Sequence, residues 1–329
     1  MPIALPQIDP RAWEHPADRA ALRTLRALPG FDEVVRRVAG FVTERGVRQL
    51  FLANAVQVGP AQRPRLDALL RECCVTMDRA TVPELYVTQD PRANAFAVGF
   101  ERPFIVVTSG ALELIERDEE RRFLLAHELG HVLSDHMTYR TVALLVLTLG
   151  SIAIFPVGLA LLPFQLALLE WHRKSELSAD RAGLLAVQDV QAAHGAFLRL
   201  AGGRDAGDAT NVEAFMRQAT AYEATGDGWD RLLRLVNVAF RDHPFHTVRA
   251  GELEHWRAGG AYDAILAGAY SRRGDRPAAD FGEDMAAAAR SYGDAASSMR
   301  TGMADAVARA RRAFSDAFHD TGAEGTPPA

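Results

Sequence analysis

Cysteine is nearly absent from this 329-residue chain, since only Cys73 and Cys74 occur and they are adjacent. A bond between neighbours would be strained and two residues make no disulfide framework, so two reduced thiols on a helix are expected. Lysine is scarcer still, Lys174 standing alone among 37 basic residues. There is no basic excess: the net charge is -5 and the pI about 6.1, so nucleic acid is not an expected partner. The N-terminal stretch lacks a basic start followed by an apolar core and does not read as a secretory signal. Reduced thiols without a signal predict a cytoplasmic protein. Charge is missing altogether from Thr141 to Leu169, between Arg140 and Glu170. Elsewhere it is ordinary. With 48% hydrophobic residues, 24% charged residues and a mean hydropathy of -0.07, the chain is neither disordered, collagen-like nor polytopic over its length.

Apolar residues recur at helical spacing through residues 17–80, with a separate helix pattern over Leu66–Met77 after the Gly59-Pro60 break. Three β-like runs follow, Glu84–Thr88, Asn94–Val98 and Pro103–Thr108, so a small sheet of about three strands is expected. Ser109 is placed to cap a helix running through Ile115, and Asp118 to cap a longer one beginning Glu119-Glu120. Helical patterns dominate thereafter. The glycines of 202–211 follow no strand and make no phosphate cradle. Residues 284–320 read as a terminal helix and 321–329 as a frayed tail. The chain therefore divides into a helical region (1–79), a core (80–257) and a C-terminal extension (258–329), in an α+β, mostly helical fold.

The chemistry is carried by Phe123-Leu-Leu-Ala-His-Glu-Leu-Gly-His-Val132. On a helix, His127 and His131 project from one face, one turn apart, where two neutral nitrogens can grip one zinc and leave positions open for water. Glu128 lies beside the first histidine, where its carboxylate can take a proton from that water. The longer HExxHxxGxxH pattern fails, because positions 134 and 137 hold Ser134 and Met137. His136, nine residues beyond His127, falls about 180° round a continuous helix and is expected to face away from the metal. A third ligand must come from elsewhere. Glu176 and Asp180 share a helix face downstream, so one carboxylate can bind zinc while the other orients a ligand histidine. His15, His172, His194, His255 and His319 read as structural.

His127-Glu-Leu-Gly-His131, the downstream Glu176-x-x-x-Asp180 and Asn94-Ala-Phe-Ala together resemble the HtpX and CAAX-prenyl-endopeptidase family of zinc metallopeptidases. The resemblance covers about residues 80 to 255. It implies a zincin-like fold, with His127, His131 and Glu176 as ligands of one Zn2+, Glu128 as general base and Asp180 behind a ligand histidine. His243-Pro-Phe-His-Thr-Val-Arg249 matches the family's later His-Pro segment. By that match His243 stabilises the oxyanion and Arg249 supports the site, whereas His246 has no counterpart. Asn94, Ala95 and Phe96 lie on an alternating strand just before the metal helix, an edge to which an extended polypeptide substrate can add.

The uncharged run lies between the second and third implied ligands, which restricts it. A single membrane crossing would place His131 and Glu176 on opposite sides of a bilayer. Two crossings need about 17 or more residues each, and 141–169 supplies 29 in all. Pro156, near its middle, should break a helix, so a hairpin of two short arms is expected. That hairpin can pack as a lid or dip into one leaflet at the cytoplasmic face of a membrane. The reading is a zinc endopeptidase with a role in protein quality control. The alternatives are a non-catalytic peptide-binding chaperone or adaptor, which the intact Glu128 argues against, and a latent protease whose hairpin covers the zinc.

Overall fold

Burial patterns divide the described chain into a small sheet and the helices packed on it. The computed structural model describes residues 2–27, 31, 35, 44–143, 157–204, 211–224 and 245–275. The expected helix at 284–320, the tail, most of the 202–211 loop, His243 and the middle of the uncharged run lie outside these residues. In chain order the elements are α1 (Pro16–Arg26), α2 (Glu44–Asn54), β1 (Ala55–Gln57), α3 (Pro64–Thr76), β2 (Leu85–Thr88), β3 (Ala95–Val98) and β4 (Phe104–Thr108). Then come α4 (Ser109–Leu114), α5 (Asp118–Leu133), α6 (Val157–Val187), α7 (Val190–Gly202), α8 (Val212–Ala224), α9 (His246–Ala258) and α10 (Ala261–Leu266). The fold is mostly helical with one small sheet, as the sequence pattern implies.

The sheet has four strands rather than about three, in the order β1-β2-β4-β3. The added strand, β1, comes from a stretch that reads as helical, and it pairs antiparallel with β2. β2 and β4 run parallel in the centre, with Leu85 opposite Ile105, and β3 pairs antiparallel with β4 as an edge. Side chains alternate between the two faces of a strand. Accordingly Leu85, Val87, Ala95, Ala97, Ile105 and Val107 join the main helical core, while Tyr86, Val98, Phe104 and Val106 cluster on the opposite face. Cys73 and Cys74 are free and buried on α3, as expected. Burial pushes both thiols up, Cys74 to about 11, so neither is a ready thiolate.

Local capping differs from the sequence reading by one residue. Thr108, not Ser109, caps α4 by accepting from the Ala111 N–H at 3.2 Å. Its hydroxyl also meets the Asn94 amide N–H at 2.9 Å and the Arg92 carbonyl at 2.7 Å, fixing the entry to β3. α5 starts at Asp118, with Asp118, Glu119 and Glu120 in its first turn, where acids are favoured.

α5 lies between the sheet side and α6 and crosses α6 closely. A Cβ added at Gly130 would stand 2.7 Å from the Ala182 Cβ and 3.2 Å from the Ala179 backbone. Glycine is therefore required by the close approach. The 31 residues of α6 begin within the uncharged run and continue past Glu176 and Asp180 as one helix. The second hairpin arm is thus not a separate short element but the start of the helix that carries both carboxylates. At the base of the run, Val142, Ala143, Leu168 and Trp171 are buried with Ala21, Leu25 and Phe31. No helix among the described residues is long and apolar enough to cross a membrane.

The crossing makes a stability prediction. Gly130→Ala forces α5 and α6 apart, an overpacking cost of about 1–3 kcal/mol, against a helix-propensity gain of about 0.5–1 kcal/mol. Urea unfolding should show a net loss of stability. A midpoint equal to or above that of the parent chain would contradict the close crossing.

Candidate metal centre

Two helices supply the centre. His127 and His131 stand one turn apart on α5 with ring centroids 4.9 Å apart, and Glu176 faces them from α6. All three are buried, and one ligand atom from each lies within 4.8 Å of the others. The Nε2 atoms of His127 and His131 are 3.4 and 3.2 Å from the two Glu176 oxygens. Two imidazole nitrogens and one carboxylate are the donor set of catalytic zinc sites that keep a position for water. Glu128 fits the same arrangement. It is buried, with Oε1 3.8 Å from His127 Nε2, and its Oε2 accepts no hydrogen bond among the described residues. The residues present therefore fit a metal.

Asp180, one turn beyond Glu176, lies 2.8 Å from His127 Nδ1. Arg249 from α9 donates to both Asp180 oxygens, at 2.9 and 2.6 Å, a two-pronged pair that fixes the carboxylate. Burial raises the Asp180 carboxyl, but the Arg249 guanidinium and His127 outweigh it and hold it below its usual value. Burial and Arg249 both oppose charge on His127. The Asp180 and Glu176 carboxylates nevertheless lift it to about 9. His131 shifts the other way, because burial and the Arg140 guanidinium disfavour its cation.

The sequence pattern does not assign His136, Arg140 or Thr141 to the site, yet all three lie near the donors. α5 stops at Leu133, and Asp135 takes a left-handed conformation (φ 53°), so the chain turns back. His136 consequently does not face away from the site. Its Nδ1 lies 3.1 Å from His131 Nδ1, and its Nε2 lies 3.0 Å from Asp18 on α1. The expectation of an opposite face assumed a continuous helix, and the turn at 134–135 removes that assumption. Arg140 donates from Nη1 to Glu176 Oε1 at 3.0 Å and also to His131 Nε2, while its Nη2 lies 3.9 Å from Glu128. The adjoining Thr141 hydroxyl donates to the Gly99 carbonyl and accepts from the Gly99 N–H, tying the end of β3 to the metal side.

The residues suggested for substrate lie on or beside that edge strand. Asn94 is exposed, Ala95 is buried in the main core and Phe96 is half-buried on the far face of the sheet. β3 packs beside α5. Its outer edge has no strand partner among the described residues. Arg249 and His246 belong to α9.

The comparisons agree with this geometry. Residues 60–257 match the family model for Peptidase family M48. Over 272 residues the chain is 33% identical to the plastoglobule-localized metallopeptidase 48, chloroplastic, of Arabidopsis thaliana, covering 80% of this chain and 78% of that one. It is 33% identical over 85 residues to a protease HtpX homolog of Tropheryma whipplei, 25% of this chain and 28% of that protein. A protease HtpX homolog of Kineococcus radiotolerans is 36% identical over 107 residues, 32% of this chain and 36% of its own. No solved structure matches. With more than half the chain inside the family match and a long relative at this identity, the chain belongs to peptidase family M48 and is a metallopeptidase.

Proposed function

We propose that this metallopeptidase is an endopeptidase in which His127, His131 and Glu176 hold one zinc per chain and Glu128 is the general base. The observation that carries the reading is the convergence of three donor atoms within 4.8 Å beside a buried carboxylate with an oxygen that accepts no hydrogen bond among the described residues. A zinc held there lowers the pKa of a coordinated water toward about 7 and polarises the scissile carbonyl. Glu128 receives the proton of the attacking water, at an oxygen that accepts no hydrogen bond among the described residues, and then delivers it to the leaving amine. Asp180 accepts from His127 Nδ1–H, which would leave Nε2, on the Glu176 side, as the nitrogen that binds the metal. Arg249 keeps Asp180 ionised and oriented. Arg140 claims lone pairs of His131 and Glu176, so its guanidinium would have to withdraw for a metal cation to be held by them.

The substrate is a polypeptide that adds to the outer edge of β3 at Asn94, Ala95 and Phe96, its backbone hydrogen bonds fixing the scissile bond beside α5. A peptide-binding adaptor has no use for a buried carboxylate at position 128. Oxyanion stabilisation by His243 rests on the family resemblance. The core at 80–257 works with the flanking regions 1–79 and 258–329 in the cytoplasm, in protein quality control. Burial of Val142, Ala143 and Leu168 supports the uncharged run as a lid packed on the protein rather than a segment in a membrane leaflet.

Two outcomes check the reading. Glu128→Gln should retain zinc, yet lose about 10²–10⁴-fold in chelator-sensitive cleavage of denatured casein, whereas Glu176→Ala should lose both metal and cleavage. Activity surviving in the Glu128 variant would overturn the base assignment. Asp180→Asn should weaken zinc binding by about 10–100-fold in a chelator competition. Unchanged affinity would remove Asp180 from its supporting role.

A further inference from the structure

His127 has a carboxylate directly behind it, but His131 has none. Instead its Nδ1 meets the Nδ1 of His136 at 3.1 Å, and the other nitrogen of His136 meets Asp18 Oδ2 at 3.0 Å. Asp18 stands on α1, before the first residue of the M48 family match. It is 2% exposed, and the same oxygen accepts from the Ser178 hydroxyl at 2.6 Å. Ser178 sits between Glu176 and Asp180 on α6 and also accepts from the His15 N–H at 2.9 Å. The N-terminal helix is thus fastened to the metal-carrying helix at the same point from which Asp18 reaches His136.

Proton placement along this line follows from donor and acceptor capacity. An ionised carboxylate only accepts, so His136 carries a proton on Nε2, and as a neutral imidazole it presents an Nδ1 lone pair. That lone pair can only accept from His131 Nδ1–H. A neutral His131 with its proton on Nδ1 has its lone pair on Nε2, the atom 3.2 Å from Glu176. With the opposite tautomers, His136 would offer no proton to Asp18 and His131 no lone pair to a metal. A second-layer acceptor that fixes ring orientation and tautomer commonly affects metal affinity as strongly as a ligand's own support does.

We propose that Asp18 positions the second metal-binding histidine through His136, so that the N-terminal helix contributes to the metal centre. Resting on the metal reading above, the inference makes Asp18 a positioning residue that touches neither metal nor substrate. Asp180 serves His127 directly, and Asp18 serves His131 through one intervening imidazole.

The test uses the full chain and zinc itself, with cobalt(II) as the spectroscopic probe. Asp18→Asn is isosteric but neutral, and its amide can turn a donor toward His136. It should raise the zinc dissociation constant about 10-fold, and Asp18→Ala should raise it by about 10–100-fold. Both should alter the visible absorption of the cobalt-loaded protein. Leu25→Ala is the control. It loosens the apolar packing of α1 without touching the relay and should keep zinc affinity within about threefold and leave the cobalt spectrum unchanged. Folded Asp18 variants with parental affinity and spectrum would overturn the proposal. So would a Leu25→Ala loss equal to that of Asp18→Asn, since docking alone would then explain the effect. A parental chain that binds neither zinc nor cobalt would overturn the metal reading as well, which separates the two failures.

Discussion

Gly130 leaves no side chain between α5 and α6, and that contact brings the donors together. Its place lies between His127 and His131 in sequence, against Ala179 and Ala182, which flank Asp180. A bulkier residue would separate the backbones, and Glu176 could no longer meet both imidazoles. The apolar core holds the helix against this contact, with Leu125 and Leu129 buried in the main cluster and the Phe123 ring packed against Gly183 of α6. The crossing therefore links ordinary core packing to the placement of three ligand atoms. Because α6 is one helix from Val157 onward, the position of Glu176 is also coupled to the uncharged run.

Burying so many ionisable groups in one place is costly unless each is paired. Asp180 is held by Arg249, Glu176 faces Arg140, and Asp18 faces His136 and Ser178. Glu128 Oε2 and Asp18 Oδ1 accept no hydrogen bond among the described residues, and the nearest cation to the former, Arg140 Nη2, stands 3.9 Å away. A buried acceptor without a hydrogen bond lowers stability. The opposite shifts of His127 and His131 express the same crowding. Asp180 and Glu176 outweigh burial and Arg249 at the first, whereas burial and the Arg140 guanidinium outweigh Glu176 at the second.

The most legible parts of this molecule in sequence are those governed by spacing along one helix. His127 and His131 at four residues apart, and Glu176 and Asp180 likewise, fix faces without any knowledge of the fold. The central strands are legible because Leu85–Thr88 and Phe104–Thr108 are nearly continuous apolar runs. Other features depend on contacts between distant segments. β1 is three residues long and follows a helix directly, so only its pairing with β2 defines it. His136 reaches His131 because the chain turns at Asp135, a residue with no strong stop signal before it. Asp18 precedes His131 by more than a hundred residues, and no periodicity connects them. The cap at Thr108 was displaced by one residue because its hydroxyl also serves the loop before β3.

The central claim is that the metal lies between α5 and α6 on two imidazoles and a carboxylate. X-ray absorption at the zinc edge of the purified, zinc-loaded chain tests it without reference to activity. The account predicts two imidazole nitrogens and oxygen donors at about 2.0–2.2 Å, with no sulfur. Sulfur scattering at about 2.3 Å, which would point to Cys73 or Cys74, or a shell with fewer than two imidazoles, would contradict it.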